Sequence, residues 1–141
     1  MSDQPHIGHE LSRAGEDYLE SIYRLATQST EPDCSVRSVD VAEQLDVSKA
    51  SVNKAVSSLK EAGMVVQNRY GRITLTERGA RYGKLVWRAH RALRTFLVSD
   101  LGVEAQTADE EACLMEHVLS YDTLNRLVDY LEDQGLEVAD E

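Results

Sequence analysis

Three places in this chain gather side chains able to donate to a cation. Asp17 and Glu20 lie three residues apart in a stretch with helical periodicity, so their carboxylates are neighbours about 60° apart around one axis. In the run DEEACLMEHVLS, Cys113, Glu116 and His117 stand at i, i+3 and i+4 and share an arc of about 100°, with Leu114, Met115, Val118 and Leu119 on the other side. A thiol, a carboxylate and an imidazole on one helix face can each ligate a divalent transition metal. His90 is the third place, set among the apolar positions of a long helical stretch. Each has a plainer reading beside it: two solvated acids, a polar helix face, a partly buried histidine held by its neighbours.

These side chains must be positioned by helices. From Leu11 to about Gln28 the apolar residues Leu11, Ala14, Tyr18, Ile22 and Leu25 recur at helical spacing, which predicts a first helix buried along that stripe with Asp17 and Glu20 flanking it. Ser29–Ser35, with Thr30, Pro32 and Asp33, reads as a surface loop in which Cys34 is an incidental thiol. A long helix is predicted from Glu77 to near Gly102, carrying His90 with Leu85, Trp87, Ala89, Leu93, Phe96 and Leu97. Thr107 to Leu119 predicts a further helix, and Ser120 caps a last one through Tyr121, Leu124, Leu127, Val128 and Leu131. Short and rich in apolar residues, these helices are expected to bury surface against each other and against a second copy of the chain, making a homodimer. Residues 1–10 read as a loose tail, in which His6 and His9 are available but unorganised.

Between the first helix and the long one lies SVRSVDVAEQLDVSKASVNKAVSSLKEAGMV. Ser38 is expected to cap a short helix with Val39, Ala42 and Leu45 inward. Asp46 and Val47 turn the chain, and Ser48 caps a second helix with Val52, Ala55, Val56 and Leu59 inward. Two short amphipathic helices joined so tightly predict a helix-turn-helix. The outer face of its second helix carries Ala50, Ser51, Asn53, Lys54 and Ser57, small and polar groups suited to a major groove, with Ser48 and Lys49 at its start. MVVQNRYGRITLT then predicts two short strands, Ile73 and Leu75 inward, around a turn carrying Arg69 and Arg72. This is the wing of a winged helix with a basic, phosphate-facing tip.

Charge supports that division. The whole chain of 141 residues has a formal net charge of −10, which argues against a polyanionic partner. Between Ser35 and Arg94, however, 12 Lys and Arg face 5 Asp and Glu, a balance of +7, and the remainder carries −17. The basic segment is equipped to meet phosphate by counterion release. No apolar run approaches the ~18 residues of a membrane helix and no signal peptide is evident, so a soluble cytoplasmic protein with reduced cysteines and no membrane partner is expected.

EDYLESIYRL, VRSVDVAEQLDVSKASVNKAVSSL, GRITLTERG, the lone histidine of the long helix and DEEACLMEHVLS together resemble the DtxR/MntR family of metal-dependent transcriptional repressors, from about Leu11 to Leu131. The resemblance implies a mainly α fold: a flexible tail over 1–10, a winged helix-turn-helix over 11–80, and a helical dimerisation and metal-binding domain over 81–141, without the SH3-like third domain of longer members. It implies Asp17, Glu20, His90, Cys113, Glu116 and His117 as metal ligands. Five match the manganese-responsive branch. Cys113 stands where that branch has Glu and is similar to the iron-responsive branch, which has Met where this chain has Asp17. Carboxylate oxygens favour Mn(II), while a thiolate strengthens Fe(II), Co(II) or Zn(II); Mn(II) or Fe(II) is favoured. Where the iron branch's ancillary site has a Glu four residues after its His, this chain has Arg94, leaving Asp109 or Glu110 to contribute in another way.

The implied function is repression of metal-uptake genes through a palindromic double-stranded operator, with Ser48, Lys49, Ala50, Ser51, Asn53, Lys54, Ser57, Arg69 and Arg72 facing DNA. A cation bound between acids of the two domains would relieve their repulsion and fix the spacing of the recognition helices. Two other readings stand beside it: a winged-helix regulator sensing an organic ligand, and a small metalloenzyme, although the chain lacks H-E-x-x-H.

Overall fold

The computed structural model describes residues 11–134, so the expected tail over 1–10, with His6 and His9, lies outside the described residues. The chain forms two compact units, residues 11–84 and residues from 85 onward. In order, the elements are α1 (Arg13–Thr27), α2 (Ser38–Leu45), α3 (Lys49–Glu61), β1 (Val65–Gln67), β2 (Ile73–Leu75), α4 (Glu77–Thr95), a π-helical turn (Phe96–Asp100), α5 (Ala105–Val118) and α6 (Tyr121–Asp133).

In the first unit, the Ser12 hydroxyl starts α1 by accepting from the Gly15 N–H at 3.0 Å. The buried face differs from the expected stripe. Leu11, Glu16, Leu19, Ser21 and Ile22 are buried, whereas Ala14 is exposed and Tyr18 and Leu25 are half-buried. The face is turned because two of its polar members find partners inside: the Tyr82 hydroxyl donates to the Glu16 carboxylate and the Ser21 hydroxyl donates to Gln44 Oε1. Burial of a polar group is tolerated when it is hydrogen-bonded.

The helix-turn-helix forms as its signals predict, with one change of phase. Ser38 is the first helical residue of α2 rather than its cap, and Arg37 occupies the cap position without a side-chain hydrogen bond to the helix. Val41 is therefore buried and Val39 exposed, with Ala42 and Leu45 half-buried. Asp46 adopts the left-handed conformation (φ 55°) that ends α2, one of the few side chains that does so readily. The Ser48 hydroxyl then accepts from Ser51 N–H at 3.1 Å and opens α3. Val52, Val56 and Leu59 are buried and Ala55 is half-buried.

The wing is antiparallel, with Val65 opposite Leu75, Val66 opposite Thr74 and Gln67 opposite Ile73. A bridge between Val36 and Ile73 adds the segment before α2 to its edge, with N–H to carbonyl distances of 2.9 Å in both directions. Ile73 is buried and Leu75 half-buried. At the start of α4, a Cβ on Gly79 would lie 1.9 Å from the Met64 carbonyl oxygen, and one on Gly83 2.8 Å from Tyr23 Cβ. The helix passes this close to the wing and to α1 because these residues have no side chain.

The second unit packs the far end of α4 with α5 and α6 around Leu85, Ala89, Ala92, Leu93, Leu97, Ala108, Ala112, Leu124, Val128 and Leu131. The predicted single helix from Glu77 to Gly102 closes in a π-helical turn, where Leu101 N–H reaches the Phe96 carbonyl at 3.3 Å. The next helix begins at Ala105, two residues before the expected Thr107, because the Glu104 carboxylate caps it by accepting from the Gln106 and Thr107 N–H groups. It ends at Val118, one residue before the expected Leu119. Ser120 caps α6 as expected, accepting from Thr123 N–H at 3.1 Å. Among the described residues no helix is long and apolar enough to cross a membrane.

Candidate metal centre and nucleic-acid interface

The ligand-bearing face of α5 is its buried face. The Glu116 side chain is 0% exposed and that of His117 4%, Cys113 is half-buried, and the apolar Leu114 and Val118 lie on the outside, Val118 at 73% exposure. This inverts the usual amphipathic pattern. A carboxylate is rarely placed so deep without a compensating charge or donor.

The compensation begins on α4. His90 Nδ1 lies 3.2 Å from Glu116 Oε2, and His117 Nε2 lies 3.9 Å from Glu116 Oε1. Cys113 Sγ and a ring nitrogen of His117 are within 4.8 Å of each other. Thus four of the six expected ligands, His90, Cys113, Glu116 and His117, are gathered within the second unit by two adjacent helices. Their donor set of one carboxylate, two imidazoles and one thiol suits a divalent transition cation, which would supply positive charge beside the buried Glu116 carboxylate. Asp17 and Glu20 belong to the first unit, where both are half-buried on α1.

His90 is held on its other sides. Its ring stacks on Trp87, with centroids 6.2 Å apart and planes 10° from parallel, and its Nε2 lies 2.8 Å from Asp109 Oδ1. Arg94, one turn further along α4, places Nε 3.5 Å from the same oxygen. The sequence had suggested Asp109 or Glu110 only as alternatives to a missing Glu. The i to i−4 relation of Asp109 to Cys113 was the available signal, since it sets the carboxylate one turn before the ligand face.

On the first unit, Lys49, Ala50, Ser51, Asn53, Lys54 and Ser57 on α3 and its cap Ser48 are all exposed, away from the core that holds Val52, Val56 and Leu59. Beside them a groove of about 450 Å³ is lined by Arg37, Ser38, Val39, Lys49, Asn53, Gln67, Tyr70, Gly71 and Arg72. Arg69 donates to the Tyr70 hydroxyl at 2.9 Å and lies 5.0 Å from that ring's centroid, so the wing tip presents a charged group braced on an exposed aromatic. Arg72 is differently used: its Nε donates to Ser35 Oγ at 2.7 Å and its Nη2 to the Ser35 carbonyl at 3.1 Å. Arg37 and Tyr70 were not anticipated on this groove. Arg37 pairs with Asp40 at 2.9 Å, and that hydrogen bond holds the Asp40 carboxyl below its usual range.

Residues 10–73 match the family described as iron dependent repressor, N-terminal DNA binding domain, and residues 76–134 match iron dependent repressor, metal binding and dimerisation domain. The chain is 35% identical over 122 residues to an uncharacterised HTH-type transcriptional regulator of Methanocaldococcus jannaschii, covering 86% of this chain and 95% of that one. It is 33% identical over 125 residues to the iron-dependent repressor IdeR of Mycobacterium tuberculosis, covering 89% and 53%. Among solved structures, that of the manganese regulator SloR superposes with a TM-score of 0.68 at 29% identity, covering 84% of this chain and 53% of that one. The chain thus spans nearly all of the first relative and about half the length of the other two. These relatives regulate transcription, and the small-metalloenzyme reading falls with them: the chain is not an enzyme. It belongs to the iron dependent repressor family of metal-dependent transcriptional regulators, with a DNA-binding helix-turn-helix domain followed by a helical metal-binding and dimerisation domain.

Proposed function

We propose that Asp17, Glu20, His90, Cys113, Glu116 and His117 are the ligands of a divalent cation, Mn(II) or Fe(II) in preference to Zn(II) or Co(II), and that its binding licenses repression of metal-uptake genes. The observation that carries this is the fully buried Glu116 carboxylate set 3.2 Å from the His90 imidazole inside the domain matched as metal binding. When bound, the cation supplies the positive charge that this cluster of acids and neutral donors lacks.

Without that charge, Asp17 and Glu20 on one unit and Glu116 on the other would repel wherever the two sets are brought together. Satisfying both sets at once restricts the two units to fewer arrangements. The recognition helix α3 of each protomer in a dimer is then presented at the spacing of a palindromic operator, and the ordering cost of DNA binding is met beforehand. Exposed apolar residues on the second unit, Leu101, Leu114, Val118 and Tyr130, support a homodimer formed through it. Coupling of about 1–3 kcal/mol corresponds to a 5- to 150-fold change in operator affinity.

The test is fluorescence anisotropy on a duplex selected from a random library by the full chain in Mn(II). Affinity should rise at least 5-fold from chelator to Mn(II) or Fe(II), and Glu116→Gln should remove the rise while leaving a folded dimer. Equal affinity with and without every metal would overturn the reading.

A further inference from the structure

Trp87, Asp109 and Glu116 each meet the His90 ring from a different side. Trp87 fixes the plane of the ring, Asp109 Oδ1 stands 2.8 Å from Nε2, and Arg94 Nε stands 3.5 Å from that same oxygen. Nδ1 points the other way, to Glu116 Oε2 at 3.2 Å. A neutral imidazole has one N–H and one lone pair. With the proton on Nε2, it is donated to Asp109, and the lone pair of Nδ1 faces the Glu116 side. With the proton on Nδ1, the Nε2 lone pair and the Asp109 oxygen would be pressed together at 2.8 Å; the Nε2–H form leaves instead the looser 3.2 Å approach of Nδ1 to Glu116 Oε2, which a cation between them would bridge.

We propose that Asp109 is a positioning residue that selects the Nε2–H form of His90, so that Nδ1 is the nitrogen offered to the cation, with Arg94 holding the Asp109 carboxylate in place. This rests on the reading of His90 and Glu116 as metal ligands. A carboxylate behind a ligating imidazole both fixes the ring and raises its basicity, and losing one typically weakens metal binding 10- to 100-fold. Asp109 is 57% exposed and lies outside the hydrophobic core, so its effect on the cation is separable from any effect on the fold.

The experiment uses the full chain with Zn(II) as a diamagnetic probe. Affinity is read by competition with a chromophoric chelator, and the His90 nitrogens are read by long-range proton–nitrogen NMR on histidine-labelled protein. In the wild type, Nδ1 should carry the metal-induced shift and Nε2 the proton. Asp109→Ala should weaken Zn(II) binding 10- to 100-fold and disperse the His90 signals, with the thermal melt unchanged; Asp109→Asn, which keeps an acceptor oxygen, should fall between; Asp109→Glu should recover most of the affinity. Coordination through Nε2, or an Asp109→Ala affinity within 2-fold of wild type, overturns the proposal. Glu116→Gln separates the two levels. If it too leaves Zn(II) affinity unchanged, the metal-centre reading fails and this inference with it; if it weakens binding while Asp109→Ala does not, only this inference fails.

Discussion

The Arg72 guanidinium, on the second strand of the wing, grips Ser35 at two points, Nε to Oγ at 2.7 Å and Nη2 to the carbonyl at 3.1 Å. Ser35 is buried, and its carbonyl also accepts from the Ser29 hydroxyl at 2.8 Å, so the arginine ties the wing to the loop that leaves α1. The planar fork makes both bonds at once, which a lysine ammonium on a flexible stem does not reproduce.

Arg72→Ala and Arg72→Lys should therefore both destabilise the first unit, by about 1–2 kcal/mol for a charged donor lost to a buried acceptor. Operator affinity should fall in both, because the wing loses its registration on the loop. Thermal denaturation alongside anisotropy checks this. A lysine variant as stable and as tight-binding as the wild type would show that Arg72 serves only as a positive charge toward phosphate.

Gly79→Ala should be among the most damaging single-methyl changes in the chain. The added carbon would meet the Met64 carbonyl oxygen at 1.9 Å, and because that oxygen is backbone and the Cβ is fixed to the helix, α4 and the segment entering β1 must separate. A loss of about 3 kcal/mol or more is expected. Gly15→Ala offers the contrast, since its nearest neighbour is Ser12 Oγ at 3.3 Å and the gain in helix propensity offsets the squeeze to within about 1 kcal/mol. Urea titrations of the two variants followed by circular dichroism separate them.

These contacts also show what the sequence could and could not disclose. The helix-turn-helix was legible because its punctuation is local: the Ser48 cap, the left-handed Asp46 and the glycine after α3 each act within a few residues. The candidate ligands on α5 were legible because helical spacing alone puts Cys113, Glu116 and His117 on one face. The phase of α1 was not, because Glu16 and Ser21 are buried by partners 66 and 23 residues away, and hydropathy scores any such residue as surface. The tie from Arg72, expected at the phosphate-facing tip of the wing, to Ser35 was hidden for the same reason, its partner lying 37 residues back. That Glu116 rather than Leu114 or Val118 would face inward followed from tertiary packing, against the amphipathic rule.

Lys54 sits exposed on α3 with no acidic partner on the helix turns beside it. As a phosphate contact it should contribute to affinity without reading sequence. Lys54→Ala should weaken binding to selected and random duplexes alike and lower the slope of log affinity against log salt by about 0.9. Zn(II) affinity, measured by chelator competition, should be unchanged. A loss confined to the selected duplex would instead place Lys54 on a base edge.

Glu104 links the second unit's helices to pH. Its carboxylate accepts from the Thr107 N–H at 3.0 Å and the Gln106 N–H at 3.1 Å, and these bonds hold its pKa below the ordinary carboxylate value. A carboxyl whose value is depressed on folding contributes stability that is fully present above the unfolded value and is lost as pH falls through the folded one. Glu104→Ala should accordingly destabilise α5 at pH 7, and the gap between variant and wild type should narrow as pH drops from about 5 toward 3. Glu104→Gln, which keeps an acceptor oxygen but no charge, should retain part of the cap at pH 7 and show no such narrowing against alanine. Denaturant midpoints for the three proteins at pH 7, 5, 4 and 3 provide the measurement. A gap between wild type and alanine that stays constant across that range would show that the charge on Glu104 has no part in holding the start of α5.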